Sequence, residues 1–400
     1  MKDLIKKNLR TAAGILPFLL CYTTAGYSRE IGKLRLTPTA FVEKKYDSNV
    51  FKQRNRKWNR LFFNDSRMND YITIYSSSLS IDYPIGRQNI FLSGTNNYVN
   101  YDHYRNQDYE SHSLEEKADL KVGDGFFVNQ AYNKSVQVIP RTLNFFIKKQ
   151  DFTETSKGLV TGGYKGSWWE FSAGFNRREV DYRVRTWVDR KTDSYDALFN
   201  ITPYDNSRWY VKFQRKEIDY DLSSNPNDNR LNDFVAGTSY KFTGKSSLKL
   251  EAGRREKDFS QRKQRNFVGF IGKLQALFPL NANGSLSLTL SRTTNSSYFR
   301  NTTYYIMDSI EGSYSWMVKQ NLLLKLSAQK KWQDYRADPG FKGSTIDWQR
   351  YLILTGAVTY VFYDNFTFGL SYNYQERSVD VKTWDFNANQ VSANLSYSWR

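Results

Sequence analysis

The sequence predicts an all-β fold, a transmembrane antiparallel up-and-down β-barrel of about 18 strands, on three observations. Apolar and polar residues alternate after residue 30, the connections fall into two length classes, and no helix or linker interrupts the pattern. In the run "WYVKFQRKEIDY", Trp209, Val211 and Phe213 share one face of a strand, whereas Lys212 and Lys216 share the other. One apolar and one polar face on every strand is the pattern of a membrane barrel.

The alternation and its breaks divide the chain into 18 predicted strands. Their ranges are 33–44, 70–83, 89–103, 111–122, 127–139, 152–165, 168–182, 192–202, 208–220, 231–243, 246–258, 265–278, 285–296, 302–316, 321–335, 347–363, 365–378 and 387–399. No stretch approaches the roughly 18 apolar residues of a membrane helix. The mean hydropathy of −0.68 suits a barrel, because only alternate residues meet lipid.

The connections alternate between a tight class and a longer, charged class. The tight connections are 84–88, 123–125, 166–167, 203–207, 243–245, 279–284, 317–320 and 363–365, and the longer ones include 45–69, 183–191, 222–230 and 336–346. Outer-membrane barrels have short periplasmic turns and longer external loops. The division into short and long connections therefore predicts that the end with the long connections faces the external medium. An even strand count places both termini in the periplasm.

Residues 1–25 resemble a signal peptide, which leaves residues 26–400 as the predicted barrel domain. A basic start precedes the apolar run "TAAGILPFLLCYTT", and small residues near Ala25 suggest cleavage there. A short membrane anchor is the alternative. Because Cys21, the one cysteine, lies in this segment, the mature chain is expected to have no disulfide or thiol chemistry.

The formal charge of +18 falls to +15 when residues 1–25 are removed, since they carry four cations and one acid. An excess of this size predicts an anionic partner. Nucleic acid fits poorly with an exported, strand-only chain. Outer-membrane lipid, the phosphates of lipopolysaccharide, and anionic solutes or polymers remain as expected partners.

With the apolar face turned toward lipid, the polar face lines the lumen and is predominantly basic. The predicted lumen-lining cations are Lys121, Arg178, Lys212, Lys216, Lys241, Lys249, Arg255, Lys325 and Lys331. Charged rings in a pore select ions, so this set predicts a passage for anions. A solvated wall without selectivity is the alternative. Acidic residues such as Glu170 and Glu251 share the face.

The first long loop carries a second basic set, which we call the loop basic cluster. Its members are Lys52, Arg54, Arg56, Lys57 and Arg60. Arg262, Lys263 and Arg265 form a smaller set in another loop. A solvated surface that contacts lipopolysaccharide phosphates and an inward fold that narrows the pore are both compatible with this pattern.

Catalysis, cofactors and metals receive little support from the sequence. His103 and His112 are its only histidines, and no Gly-rich phosphate loop, CxxC or HExxH motif is present. If a hairpin tip lies near residues 107–108, the two histidines are expected to be cross-strand neighbours, which is too few ligands for a metal site. We therefore expect no enzyme, cofactor or metal centre.

The segment "LRLTPTAFVEKKYDSNVF" and the following "DYITIYSSSLSIDYPIGRQNIFLSG" resemble the outer-membrane β-barrel porin family often linked to exopolysaccharide gene clusters. Pro38, the run 46–51, Asp70 and the turn at 84–86 carry the resemblance. The last strand, "QVSANLSYSWR", is similar to the C-terminal signal for outer-membrane assembly. The family resemblance implies an 18-stranded barrel through which polysaccharide crosses the outer membrane, with no catalytic residues.

These observations predict a bacterial outer-membrane channel that exports an acidic or otherwise polar exopolysaccharide, with a periplasmic export component as a possible partner. A general or anion-preferring diffusion porin is the second hypothesis. A plugged barrel that acts as a structural envelope protein is the third. Channel conductance separates the second from the third.

Overall fold

The computed structural model describes eleven segments of the chain. They are residues 34–54, 56–63, 65–139, 150–221, 227–242, 246–261, 266–297, 302–337, 346–363, 365–381 and 384–399. The predicted signal peptide, residues 1–25, and the loop set at 262–265 lie outside these segments. No helix among the described residues is long and apolar enough to span a membrane.

Eighteen strands form the described structure. They are β1 Arg35–Asp47, β2 Asp70–Ile85, β3 Gln88–Tyr101, β4 Tyr109–Val122, β5 Phe126–Val138, β6 Phe152–Lys165, β7 Trp169–Tyr182, β8 Arg190–Tyr204, β9 Ser207–Tyr220, β10 Asn229–Lys241, β11 Ser247–Phe259, β12 Phe267–Pro279, β13 Gly284–Ser296, β14 Thr302–Lys319, β15 Leu322–Ala337, β16 Trp348–Phe362, β17 Phe366–Val379 and β18 Phe386–Ser398. The predicted fold and strand number are confirmed.

The strands close into one antiparallel sheet in sequence order. Each strand pairs with its neighbours in the chain, and β18 pairs with β1, so that Tyr397 lies opposite Ala40. Closure leaves no sheet edge without hydrogen-bond partners, as a lipid environment requires. Two short 3-10 helices, Arg105–Gln107 and Thr186–Val188, lie in long connections. An α-helix, α1, spans Arg56–Phe63 within the first long loop. The prediction that the chain has no helix is therefore wrong.

Two observations identify the outer face of the wall. Hydrogen bonds that bridge strands two positions apart, such as that from the Tyr210 Oη on β9 to the Glu251 Oε1 on β11 (2.6 Å), lie on the polar face. Side chains converge in this way on the concave side of a curved sheet. The opposite face exposes large apolar side chains, including Phe171, Leu250 and Leu326. The apolar face is therefore convex and meets lipid.

Aromatic side chains concentrate near the tight-turn end of this outer face. Trp209 is more than half exposed there, and the Tyr397 and Trp399 rings make an edge contact with centroids 4.2 Å apart. Trp and Tyr prefer the membrane–water interface because their rings are apolar with one polar group. These residues mark the periplasmic boundary of the membrane.

Glycine residues permit the short turns at one end of the barrel. Gly86 and Gly123 adopt φ of +61° in the β2–β3 and β4–β5 turns, a backbone conformation that residues with a Cβ rarely adopt. The connections at the opposite end are longer: β1 and β2 are joined by residues 48–69, and β7 and β8 by residues 183–189. By the rule for outer-membrane barrels, the long connections face the exterior.

The face assignment predicts opposite outcomes for arginine at two adjacent positions of β15. Leu326→Arg places a charge toward lipid and should cost about 2–4 kcal/mol near the bilayer midplane. Ser327→Arg, on the lumen face, is the matched control and should be tolerated. Heat-modifiable gel mobility of the two variants measures the folded fraction. Equal folding of both would contradict the assigned faces.

The assignment of the two ends is tested by protease sites inserted at one connection of each class. A site beside Arg54, in the first long loop, should be cleaved on intact cells because that loop faces the medium. A site beside Asn283, in the β12–β13 turn, should be cleaved only after the outer membrane is permeabilised. Cleavage at Asn283 alone on intact cells would mean the reverse orientation.

Candidate functional site

The nine predicted lumen cations lie on the concave face of the barrel. Strand register establishes this, because residues paired across neighbouring strands share a face: Lys121 pairs with Phe127, and Lys212 with Val235. Side chains alternate between the two faces along each strand, and this alternation can be followed from strand to strand through the pairing. It places the other seven cations on the same face: Arg178, Lys216, Lys241, Lys249, Arg255, Lys325 and Lys331. That they line an open passage stays a prediction.

In the periplasmic half of the lumen, cations on β9 and β11 are paired with acids. The Arg208 Nη2 lies 3.5 Å from Glu170, and the Lys249 Nζ lies 2.9 Å from the Glu251 Oε1. Tyr210 donates its hydroxyl to the same Glu251 oxygen. Each of these two pairs is therefore neutral.

A glycine permits the Tyr210–Glu251 contact. Gly237 lies on β10 between the two residues, and a Cβ at this position would be 2.4 Å from the Tyr210 Cζ. Because glycine has no side chain, the tyrosine ring lies across β10 and reaches β11. Sequence reasoning missed this contact, although an isolated Gly within an alternating strand was a signal of close approach.

From the middle of the wall to its extracellular end, six of the lumen-face cations on β6 to β11 form what we call the upper cation cluster. Its members are Lys157, Arg178, Lys212, Lys216, Arg255 and Lys257. Lys157 and Arg178 are directly opposite one another and exposed, whereas Lys212 and Lys216 are half-buried. Two acids, Asp196 and Asp233, share this part of the face.

Only one member of the upper cation cluster has a carboxylate partner among the described residues. Arg255 binds Asp233 through two hydrogen bonds of 2.7 Å, donated by its Nε and Nη2. Its Nη1 donates to the Thr293 hydroxyl and to the hydroxyl and carbonyl of Thr294. The other five cations make no ion pair within the part of the chain that the structure describes. The extracellular half of this wall therefore carries a net positive charge toward the lumen.

Cations on the outer face of the same strands are paired instead. The outer-face pairs are Arg177–Asp193 (2.8 Å), Arg215–Glu217 (2.6 Å), Arg230–Glu217 (3.4 Å) and Arg254–Glu256 (2.8 Å). They lie above the apolar band, toward the long connections. The basic excess of these strands is thus neutralised on the outside and remains uncompensated on the inside.

The wall from β13 through β18 to β3 is lined mainly by hydroxyl and amide groups. Hydroxyl pairs join neighbouring strands at Ser80–Ser93 (3.0 Å), Ser287–Ser313 (2.7 Å), Ser291–Ser309 (2.8 Å) and Ser371–Ser392 (2.8 Å). The Asn373 Nδ2 donates to the Thr355 Oγ1 at 2.9 Å. Sequence reasoning missed this hydroxyl- and amide-rich wall, although serine or threonine at every second position of 285–291 was its signal.

The loop basic cluster divides into one buried and four exposed residues. Arg54, Arg56, Lys57 and Arg60 are exposed. Lys52 is 6% exposed and forms an ion pair with Asp47 (2.9 Å), the last residue of β1. Burial lowers the pKa of Lys52, and Asp47 opposes that shift. Lys52 therefore belongs to the structural core of the loop and not to its charged surface.

This loop core is anchored to the rim of the barrel. The Asn49 side chain donates to the Gln53 and Asn387 carbonyls, and the Phe51 ring contacts Tyr104 in the next long connection. Burial raises the pKa of Tyr104 to about 12. Whether another part of the loop narrows the pore stays a prediction.

The prediction that His103 and His112 are cross-strand neighbours is wrong. His112 lies opposite Asn96 on β3, and His103 lies in the connection beyond β3, with its Nε2 2.8 Å from Asp65. Hydrogen bonds from the Arg67 backbone and from His103 lower the pKa of Asp65.

Three carboxylates at the external end, those of Asp181, Asp189 and Asp221, lie within 4.8 Å of one another. Burial, together with the neighbouring acids, raises the pKa of Asp189. Sequence reasoning missed this group because Asp221, which follows β9, is distant in sequence from Asp181 and Asp189 of the β7–β8 hairpin.

The closed 18-stranded wall and its apolar outer face define an outer-membrane β-barrel, and the protein is located in the bacterial outer membrane. The solved structures to which the barrel is similar include three Pseudomonas aeruginosa proteins. OccK9 (OpdG) has a TM-score of 0.52 at 11% sequence identity, over 92% of this chain and 99% of that chain. OccK2 (OpdF), in complex with glucuronate, has a TM-score of 0.52 at 9% identity, over 92% and 98%.

OpdQ has a TM-score of 0.50 at 10% identity, over 91% of this chain and 98% of that chain. At such identities the likeness establishes the fold. No protein-family model matches the sequence, and no curated protein matches it. None of these comparisons links the chain to exopolysaccharide gene clusters.

The buried ion pair of the first loop should contribute to stability. Lys52→Ala leaves Asp47 buried without its cation and should lower the free energy of unfolding by about 3–5 kcal/mol, as for other broken buried pairs. Arg54→Ala, two residues away and exposed, is the control and should change it by less than about 0.5 kcal/mol. Unfolding of both variants in detergent checks this. Equal stability would exclude a structural role for the pair.

Proposed function

We propose that the protein is a water-filled diffusion channel that admits polar solutes and prefers anions to cations. The upper cation cluster carries this proposal: five of its six members lack a carboxylate partner among the described residues and lie on the lumen face. An uncompensated positive wall raises the local concentration of anions and repels cations. Barrels of 16 to 18 strands are wide enough to hold an aqueous channel.

The opposite wall, rich in hydroxyl and amide groups, suggests the kind of anion. Serine, threonine and asparagine side chains both donate and accept hydrogen bonds, as sugar hydroxyls require. A small solute that carries a carboxylate and several hydroxyls would find a matching group on each side of the lumen. Glucuronate, which the similar barrel OccK2 binds, is a solute of this chemical class.

Exopolysaccharide export is the second candidate. The hydroxyl pairs along β13–β14 and β17–β18 favour it, because a polyhydroxylated polymer could exchange weak hydrogen bonds with them during passage. Only the sequence resemblance and this wall support export. A diffusion channel needs no partner, whereas export requires a periplasmic component. A channel closed by a loop would support the third hypothesis, a structural envelope protein, and would give no conductance.

Ion selectivity tests the proposed channel. The quadruple variant with Lys157, Arg178, Lys212 and Lys216 changed to Gln should lose at least about half of the wild-type preference for chloride over potassium, because the uncompensated wall charge is gone. Reversal potentials under a KCl gradient in planar bilayers measure this preference. It should also weaken near 1 M salt, where the screening length is about 3 Å.

The matched control removes the same charge from the outer face. Arg177, Arg215, Arg230 and Arg254, all changed to Gln, should leave the reversal potential unchanged. A wild-type channel that prefers potassium, or equal shifts in the two quadruple variants, would contradict an anion-preferring lumen.

A further inference from the structure

Lys257 holds a buried positive charge with no carboxylate near it among the described residues. Its side chain is 2% exposed, and its Nζ donates to the Ser296 Oγ at 3.2 Å. The ammonium lies 5.0 Å from the centroid of the Phe259 ring and 5.9 Å from that of Tyr304. One hydroxyl and two ring faces offset only part of the desolvation cost of a buried charge.

The neighbours of Lys257 increase this unbalanced charge. Leu231 is the residue that separates Lys257 from Lys216 across β10. The positive charges of Arg255, Lys212 and Lys157 act on the Lys216 ammonium, and Asp233 is the acid that opposes them. Both oxygens of Asp233 are already bound by Arg255.

The cations come from distant strands but converge in the lumen. Lys157 on β6 and Lys216 on β9 are three strands apart, about 14 Å along the wall at the usual spacing. Long side chains that project from a concave wall approach one another, and the charge of Lys157 accordingly acts on Lys216. Arg178, paired across from Lys157, adds an exposed guanidinium at the same level.

We propose that the upper cation cluster is a binding site for an anion that carries at least two negative charges, such as a di- or oligophosphate or a polycarboxylate. This proposal rests on the proposed channel and names the solute class that binds most tightly within it. Lys157, Arg178 and Lys216 contact the anion, and Lys212 lies four residues below Lys216 on β9. Arg255 and Lys257 are buried on β11, and their positive charges, with that of Lys212, add to the electrostatic potential at the site.

The preference for multiple charge follows from the number of unpaired cations. A monovalent anion neutralises one of them and leaves the rest repelling each other. A divalent or higher anion gains roughly twice the Coulomb energy or more for the same loss of translational freedom. Arginine and lysine together also favour phosphate and carboxylate oxygens through charge-assisted hydrogen bonds.

Block of single-channel chloride current by inorganic pyrophosphate tests the site. Wild-type current should fall with pyrophosphate concentration and saturate, whereas gluconate, a monovalent anion, should need at least about tenfold more for the same effect. Lys216→Gln and Arg178→Gln should each raise the half-blocking concentration about tenfold, the size expected for one lost charge-assisted contact. Equal potency of pyrophosphate and gluconate would overturn the proposal.

Two controls separate the site from general lumen charge. Lys325→Gln removes a cation from the lumen face of β15, outside the cluster, and should leave the half-blocking concentration within about twofold. Arg177→Gln, on the outer face beside Arg178, should leave it unchanged. Equal effects of Lys325→Gln and Lys216→Gln would mean diffuse attraction and no site.

Calorimetric binding of pyrophosphate to the detergent-solubilised barrel tests the site without conduction. If the wild type binds pyrophosphate and the Lys216→Gln variant does not, the site stands even where the channel proposal fails. If neither binds, the site proposal fails even where the channel conducts anions. Lys257→Met should unfold at or above the wild-type temperature, because it removes an unpaired buried charge. A clear loss of stability would contradict the unbalanced charge from which the site is inferred.

Discussion

The structure depends on one constraint, that backbone N–H and C=O groups in a lipid environment have no solvent to pair with. A sheet satisfies it only by closing on itself, and the pairing of β18 with β1 completes the ring of hydrogen bonds. Closure then fixes the alternation of faces for all strands at once. A residue two positions from Leu326 must also face lipid, and its neighbour Ser327 must face the lumen. The chemistry of the lumen is therefore set by the same register that makes the barrel stable.

The two faces differ in whether their cations are paired with acids, because the surroundings of the two faces differ. Above the apolar band of the outer face, Arg177 and Arg254 lie beside acids, so that little net charge borders the lipid. On the lumen face, water solvates exposed cations such as Lys157, and they need no carboxylate. An aqueous interior is thus consistent with a wall that keeps its positive charge. Lys257 departs from this rule because it is buried, and a bound anion would supply the missing counter-charge.

The sequence was sufficient for the features that follow from period two. Strand number, the two classes of connection and the faces of Phe171 and Lys212 all depend on alternation within one strand. Features that depend on contacts between distant segments were not predictable. Lys52 is buried because the loop core folds back onto Asp47, and α1 is too short to show a periodic pattern. The histidine prediction failed because it assumed that both residues lie within paired strands.

The lumen is asymmetric, and the asymmetry has a physical consequence for passage. A ring of cations on all sides would hold an anion on the axis, equally attracted in every direction. Here the upper cation cluster occupies β6 to β11, and neutral serine pairs such as Ser371–Ser392 lie across from it. An anion is drawn to one wall and keeps its other surface toward hydroxyl and amide groups. Release then requires breaking contacts on one side only, which allows a charged solute to bind and still leave.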